Sequence, residues 1–227
     1  MLLGIKNKIK NSGILGKSPY GKTWNEKNGT KQQEWYLKMH ECYKLQHEDF
    51  KNYLKTKKDV ETILEVGCGT GIYPINLKHL FSNMRYTGID FSESAIEYCK
   101  KNSEFEFICG DFIKTKLQKY DLVYSHAVVD HVYDIDSFIL KIIDTCKKYA
   151  YITAYRGYFP DLPKHKMNWN NNDGCYYNDF SIRQIEEKFI EMGLKQNQYQ
   201  IRSLQTEQIG EDTDWQTIIE INKVIKE

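Results

Sequence analysis

The chain lacks most of the patterns by which a sequence declares a metal site, a disulfide scaffold or a membrane span. Six cysteines, at positions 42, 68, 99, 109, 146 and 175, form no C-x-x-C pair and no His/Cys cluster at zinc spacing. Neither a disulfide framework nor a metal site is therefore expected, and free thiols of this kind fit a reducing, cytoplasmic setting. No apolar run approaches the roughly 20 residues that span a bilayer, and the opening Met1-Leu2-Leu3-Gly4-Ile5 is too short for a signal-peptide core. Net charge is also nearly absent, with 32 Lys/Arg against 31 Asp/Glu in 227 residues. That balance is uneven: residues 1–58 hold 13 Lys/Arg and 5 Asp/Glu, a net +8, leaving 19 and 26, a net −7, for the rest. A basic arm suits an anionic substrate or nucleic acid, or is a solvated helix face. The length fits one α/β domain able to bury a full core.

What the chain does have is Ile63-Leu-Glu-Val-Gly-Cys-Gly-Thr-Gly71, a short apolar stretch running into glycines at alternate positions. The apolar residues read as a buried parallel strand, and the glycines turn the backbone towards a helix whose N–H groups can face a ligand. A nicotinamide fingerprint fails here, because G-x-G-x-x-G counted from Gly67 ends on Ile72 and from Gly69 on Pro74. The spacing E-x-G-x-G-x-G fits instead, and Glu65 to Gly71 resembles the first motif of class I S-adenosylmethionine-dependent methyltransferases. By that resemblance Glu65 orients the cofactor's amino group, and the turn Gly67, Cys68, Gly69 and Gly71 holds its methionine end.

The following strands carry the rest of the resemblance. Arg85-Tyr-Thr-Gly-Ile-Asp90 ends in a carboxylate about 20 residues past the glycines, as a strand–helix–strand unit requires; Asp90 would take the ribose hydroxyls, with Phe91 beside it. The next strand, Phe105 to Cys109, meets Gly110-Asp111-Phe112, where the family places an Asp on the adenine amino group and an apolar neighbour on the ring. A fourth strand, Tyr120 to Tyr124, runs into Ser125-His126, and Ser125 joins the cofactor set. The implied fold is α/β: a Rossmann-like, doubly wound sheet of seven mostly parallel strands with helices on both faces, preceded by an N-terminal helical arm.

In chain order, residues 1–58 form the arm and its helices, and residues 59–227 the core. Residues 1–30 read as an arm with a turn at Ser18-Pro19-Tyr20-Gly21, Tyr20 and Trp24 being candidates to lie on cofactor or substrate. From Lys31 to Lys55, Trp35, Leu37, Met39, Tyr43, Leu45, Phe50 and Tyr53 recur at helical spacing, predicting one or two helices. The core predicts strand 60–66, helix 72–80, strand 85–89, helix 92–102 and strand 105–109. Strand 120–124, helix 135–146, strand 149–154, helix 181–192 and two closing strands follow. Residues 155–180 are aromatic, polar and without period, which suggests a substrate flap. Arg156, His165, Tyr176 and Tyr177 are its candidates for acceptor contact.

Transfer of a methyl group to a hydroxyl needs a positioned base, and His126, His131 and His165 all fall in segments expected near the reacting atoms. Lys164 and Lys166 beside His165 would keep its ring neutral. The expected acceptor is a small polar molecule with a hydroxyl. The Arg156-Gly-Tyr-Phe-Pro160 and Tyr176-Tyr-Asn-Asp179 stretches resemble bacterial methyltransferases of surface-polysaccharide biosynthesis, some acting on nucleotide sugars. An N-methyltransferase for a small amine and a cofactor-binding subunit without catalysis are the rivals. Nucleic acid is disfavoured, since the Asn/Asp-Pro-Pro-aromatic tetrad of amino-methylating DNA enzymes is absent where Ser125-His126-Ala127-Val128 stands.

Overall fold

The computed structural model describes residues 18–26, 28–206 and 215–224; the first 17 residues of the expected basic arm lie outside them. Three helices open the described chain: a short α1, Thr23–Glu26, then α2, Gly29–Cys42, and α3, Lys44–Thr56. The side chain of Asn28 caps α2 by accepting the Lys31 N–H at 3.0 Å.

Five parallel strands form the sheet's body: β1, Thr62–Val66; β2, Arg85–Asp90; β3, Glu106–Cys109; β4, Tyr120–His126; and β5, Cys146–Ala154. A short hairpin, β6, Trp169–Asn170, with β7, Cys175–Tyr176, stands apart. The strands β8, Tyr199–Gln205, and β9, Trp215–Asn222, then close the sheet in the order β3-β2-β1-β4-β5-β9-β8, with β9 antiparallel to both neighbours. The sheet reverses its direction of growth at β1, so β1 and β4 leave a crevice at their carboxyl ends, where such sheets bind ligands.

Helices cover both faces: α4, Glu93–Asn102, with α3 on one side, and α5, Ile135–Thr145, with α6, Ile182–Glu191, on the other. Strand residues alternate between the two layers. Leu64, Val123, Ala150 and Ile152 face the α5/α6 layer, whereas Ile63, Leu122, Tyr124 and Tyr151 face the layer with Phe50 of α3. Phe50 is fully buried, and truncating such a side chain typically costs about 3–5 kcal/mol.

Two expected elements differ. The predicted helix 72–80 is one wide turn, Ile72–Asn76, followed by a tight one, Lys78–Phe81. Pro74 lacks an N–H, so only its neighbours serve the ladder, Ile75 bonding Gly71 at 3.0 Å and Leu77 bonding Tyr73 at 2.9 Å. The flap, expected to be irregular throughout, contains the β6–β7 hairpin, and a bridge between Lys166 and Asp179 draws its ends together.

Candidate active site at the carboxyl end of the sheet

β1 delivers the chain into a turn at which Gly67 and Gly69 adopt φ of 73° and 51°. Side chains there would be strained and would also collide: a Cβ on Gly67 would lie 2.2 Å from Val128, and one on Gly69 2.9 Å from the ring of Tyr36. Asp90, at the end of β2, ties the turn down by accepting the N–H groups of Gly69 at 2.9 Å and Ser92 at 2.8 Å. Burial raises the pKa of this carboxyl, with those two donors opposing the shift.

Glu65 lies beneath the turn. One of its carboxylate oxygens accepts the hydroxyls of Tyr124, at 2.6 Å, and of Tyr86. Both tyrosines come from strands flanking β1, and Tyr124 is Glu65's register partner. Burial nevertheless pushes its pKa up to about 8. On the far side of Asp90, Phe91 is stacked by Tyr20, ring centroids 4.4 Å apart. The Tyr20 hydroxyl donates to one oxygen of Asp111 at 2.6 Å, and Tyr133 donates to the other at 2.8 Å.

A cavity of about 970 Å³ joins these residues to a chamber under α2 and α3. Its size is at the upper end of ordinary ligand pockets, leaving room for two molecules together. Beyond the glycine turn the chamber is aromatic and polar, with Tyr73, Tyr155, His126 and His131 in its wall. Ala127, the only described non-glycine residue with positive φ, at 52°, turns the chain sharply after β4 between His126 and Val128.

His131 donates from Nδ1 to the carbonyl of Tyr176 at 2.6 Å, so its Nε2 accepts the Tyr155 hydroxyl at 3.1 Å. Burial lowers its pKa to about 4, and nearby Arg156 acts in the same direction. His126 bonds the hydroxyls of Tyr73 and Thr153, each at 2.9 Å, and burial lowers it to about 3. Asp130 accepts backbone N–H groups from Tyr155 and Arg156, yet burial raises it to about 7.

Of the residues expected on the cofactor, Glu65, Gly67, Cys68, Gly69, Asp90 and Phe91 line the cavity, and so does Phe112. Gly71 instead caps the wide turn. Asp111 is capped by the two tyrosines, and Ser125 is fully buried outside the lining. Of the acceptor candidates, Tyr20, Trp24, Arg156 and Tyr177 line the cavity. Trp24 meets His131 edge-on at 4.8 Å, and the Arg156 guanidinium lies 5.2 Å over the Tyr177 ring. Tyr176 packs its side chain on Trp169 and offers His131 only its carbonyl.

His165 is not brought to the cavity. Its Nδ1 accepts the Ser181 N–H at 2.9 Å, its Nε2 faces Asp136 of α5 at 3.2 Å, and its own N–H bonds Gln184 of α6. The flap folds back here onto α5 and α6, so the ring clamps the flap with both nitrogens engaged. Its lowered pKa comes chiefly from burial, opposed by Asp136, rather than from Lys164 and Lys166.

Sequence reading missed the roof. Tyr36, His40, Tyr43 and His47 all line the cavity; their spacing of four, three and four is a helical stripe, but a polar aromatic one of which an apolar template registers only Tyr43. Tyr73 was missed as well, whereas the run from Asn168 to Asp173, which lines the cavity, belongs to the expected flap without having been singled out within it. Among the described residues no group of three or more His, Cys, Asp or Glu could hold a metal ion, and no helix is long and apolar enough to cross a membrane.

Comparison with known proteins places this geometry. Malonyl-[acyl-carrier protein] O-methyltransferase of Bacillus cytotoxicus is 39% identical over 84 residues, covering 35% of this chain and 30% of that protein. Ribosomal protein L11 methyltransferase of Dictyoglomus turgidum is 32% identical over 103 residues, 43% of this chain and 33% of that protein. The matched stretches thus span about a third of these curated relatives. In fold, the chain resembles the plantazolicin methyltransferase BpumL in complex with SAH, with a TM-score of 0.61 and 15% identity over 90% of this chain and 94% of that one. It also resembles magnesium protoporphyrin IX methyltransferase of Synechocystis with bound SAM, with a TM-score of 0.55 and 14% identity over 81% of each chain. The family model described as a methyltransferase domain matches residues 57–221. Because that match runs from just before β1 almost to the end of β9, well over half of its length, this chain belongs to the methyltransferase-domain family.

Proposed function

We propose that this protein transfers the methyl group of S-adenosylmethionine to a hydroxyl oxygen of a small, neutral, sugar-like acceptor. The observation that carries the reading is the continuity of one cavity from the Gly67–Gly69 turn and Asp90 to the chamber holding His126 and His131. When bound, the cofactor supplies an activated methyl group on a sulfonium. The chain's own part is to bind, orient and take up a proton. Asp90 stands where ribose hydroxyls would meet a carboxylate, Glu65 where an ammonium would, and Phe91 and Phe112 offer apolar faces to a base.

Trp24, Tyr43, Tyr155 and Tyr177 suit the C–H faces of a sugar, and the amide oxygen of Asn168 suits one of its hydroxyls. Among the described residues Arg156 is the sole Lys or Arg in the lining, and it faces Asp179 at 4.0 Å. That favours a neutral acceptor over a diphosphate-bearing nucleotide sugar. The polysaccharide setting rests on the flap's resemblance alone, as none of the relatives named above carries a carbohydrate in its name.

The test is transfer of labelled methyl from S-adenosylmethionine to a panel of free sugars, nucleotide sugars and small amines, with S-adenosylhomocysteine binding followed by calorimetry. Transfer to a neutral hydroxyl compound is expected. Transfer to amines alone would reassign the acceptor, and binding without transfer to any compound would favour a cofactor-binding subunit.

A further inference from the structure

Four side chains from four segments converge on one wall of the cavity: His40 of α2, His47 of α3, Tyr73 of the wide turn and His126 at the end of β4. The Tyr73 hydroxyl lies between two imidazoles, bonded to Nδ1 of His47 and, at 2.9 Å, to Nε2 of His126. One phenolic proton cannot serve two imidazole lone pairs, so Tyr73 donates to one ring and accepts an N–H from the other. The oxygen thereby keeps the capacity to accept one more hydrogen bond.

The position of the hydroxyl is fixed on every side. The Tyr73 ring is parallel to that of His126, 4° apart at 5.2 Å, and meets Phe50 edge-on at 5.5 Å. His126 is held from behind by Thr153, and His40 stacks on His47 at 4.0 Å. Tyr73 comes two residues after Gly71, so the wide turn that directly follows the glycines carries this hydroxyl. It is 2% exposed and still lines the cavity.

We propose that Tyr73 is the catalytic group that takes the acceptor's proton, with His47 and His126 as the imidazoles that relieve it. The proposal rests on the hydroxyl-methylation reading and names the proton's route within it. The acceptor's O–H donates to the Tyr73 oxygen. As the O–CH3 bond forms and the S–CH3 bond breaks, the acceptor's proton passes to Tyr73 and the phenolic proton passes to the one imidazole whose lone pair already accepts it. The methyl donor loses one positive charge and the imidazole gains one, so the buried chamber keeps its net charge. That balance lets a ring held neutral by burial act as a proton acceptor here.

A second candidate is the His131–Tyr155 pair, in which the Nδ1–H of His131 donates to the Tyr176 carbonyl and Nε2 faces the Tyr155 hydroxyl. The two differ in geometry: the Tyr155 hydroxyl meets one ring, whereas the Tyr73 hydroxyl lies between two.

Tyr73→Phe in the full chain removes the hydroxyl and keeps the ring contacts. Single-turnover rate, S-adenosylhomocysteine affinity, acceptor KM and solvent isotope effect would be compared with wild type, alongside 15N spectra of the imidazoles. The expected result is a fall in rate on the order of 100-fold, with cofactor affinity and KM nearly unchanged. The solvent isotope effect should change, and the His47 and His126 nitrogens should shift as they lose a common partner. A near-normal rate in Tyr73→Phe would overturn the proposal while leaving methyl transfer to a hydroxyl intact. A wild type that binds S-adenosylhomocysteine and methylates no hydroxyl compound would overturn both.

Discussion

Glu65→Gln should stabilise the unliganded protein by a margin that grows with pH, although Glu65 belongs to the binding site. Burial raises the carboxyl from 4.5 to about 8 in the folded chain, so between those values the folded state holds a proton that the unfolded state has lost. Stability from this group is therefore complete below about pH 4.5 and lost as pH rises through about 8. At about 1.4 kcal/mol per pH unit, the wild type should lose about 3–4 kcal/mol from Glu65 between pH 5 and 8. The amide of the variant has no proton to lose and can still accept from Tyr86 and Tyr124.

Urea unfolding of both proteins from pH 5 to 8.5, without ligand, gives the difference curve. Shared contributions cancel in it, including those of His126 and His131. Their lowered values act in the opposite sense, with stability lost as pH falls from 6.5 towards about 3 and 4. Parallel curves for the two proteins, or a variant less stable at pH 8, would refute the argument. The same substitution should weaken binding of S-adenosylhomocysteine, because an amide cannot pair with the ligand's ammonium.

Three further outcomes are expected. Asp90→Ala should weaken S-adenosylhomocysteine binding by roughly ten- to a hundredfold, the cost of about 1.5–3 kcal/mol for a charged hydrogen-bond acceptor; calorimetry showing unchanged affinity would remove Asp90 from the site. His165→Gln should keep a near-normal rate in the methyl-transfer assay, because the ring clamps the flap to α5 and α6 outside the cavity. Exhaustive EDTA treatment should leave turnover intact; restoration by magnesium of a lost rate would point to Asp130 and His131 as the first ligands to examine.

The parts of this molecule that pack apolar residues at a regular period were legible in the sequence. β1, β2, β4 and the apolar stripe of α6, Ile182, Ile185 and Phe189, appear where alternation or helical spacing puts them. The inward face of α2 was not legible. Leu37 is 39% exposed there, whereas Gln32 and Gln33 are buried at 4% and 6%. Both glutamines bond polar groups, Gln32 the carbonyl of Trp24 and Gln33 the hydroxyl of Thr70 in the glycine turn. A helix that roofs a polar cavity buries amides and imidazoles, so hydropathy misplaces its inner side. His165 failed for a related reason, since sequence gives its flap segment but not the direction in which the flap folds back.

The ionisable groups in and beside the chamber follow one rule. Burial raises Glu65 and Asp130 to about 8 and 7 and lowers His126 and His131 to about 3 and 4, so acids and bases alike are driven towards neutrality. Each pays a desolvation cost that apolar residues in its place would avoid, and hydrogen bonds to neighbouring hydroxyls and backbone groups only partly offset it. A cation entering beside Glu65 changes the balance, because the attraction between ammonium and carboxylate offsets the cost of ionising the acid. On the proposed reading the site would thus suit a cationic cofactor and a neutral acceptor better than two charged ligands. On the proposed proton route the imidazoles would stay uncharged for as long as the positive charge rests on a bound methyl donor, and one of them would take it up only as transfer releases it.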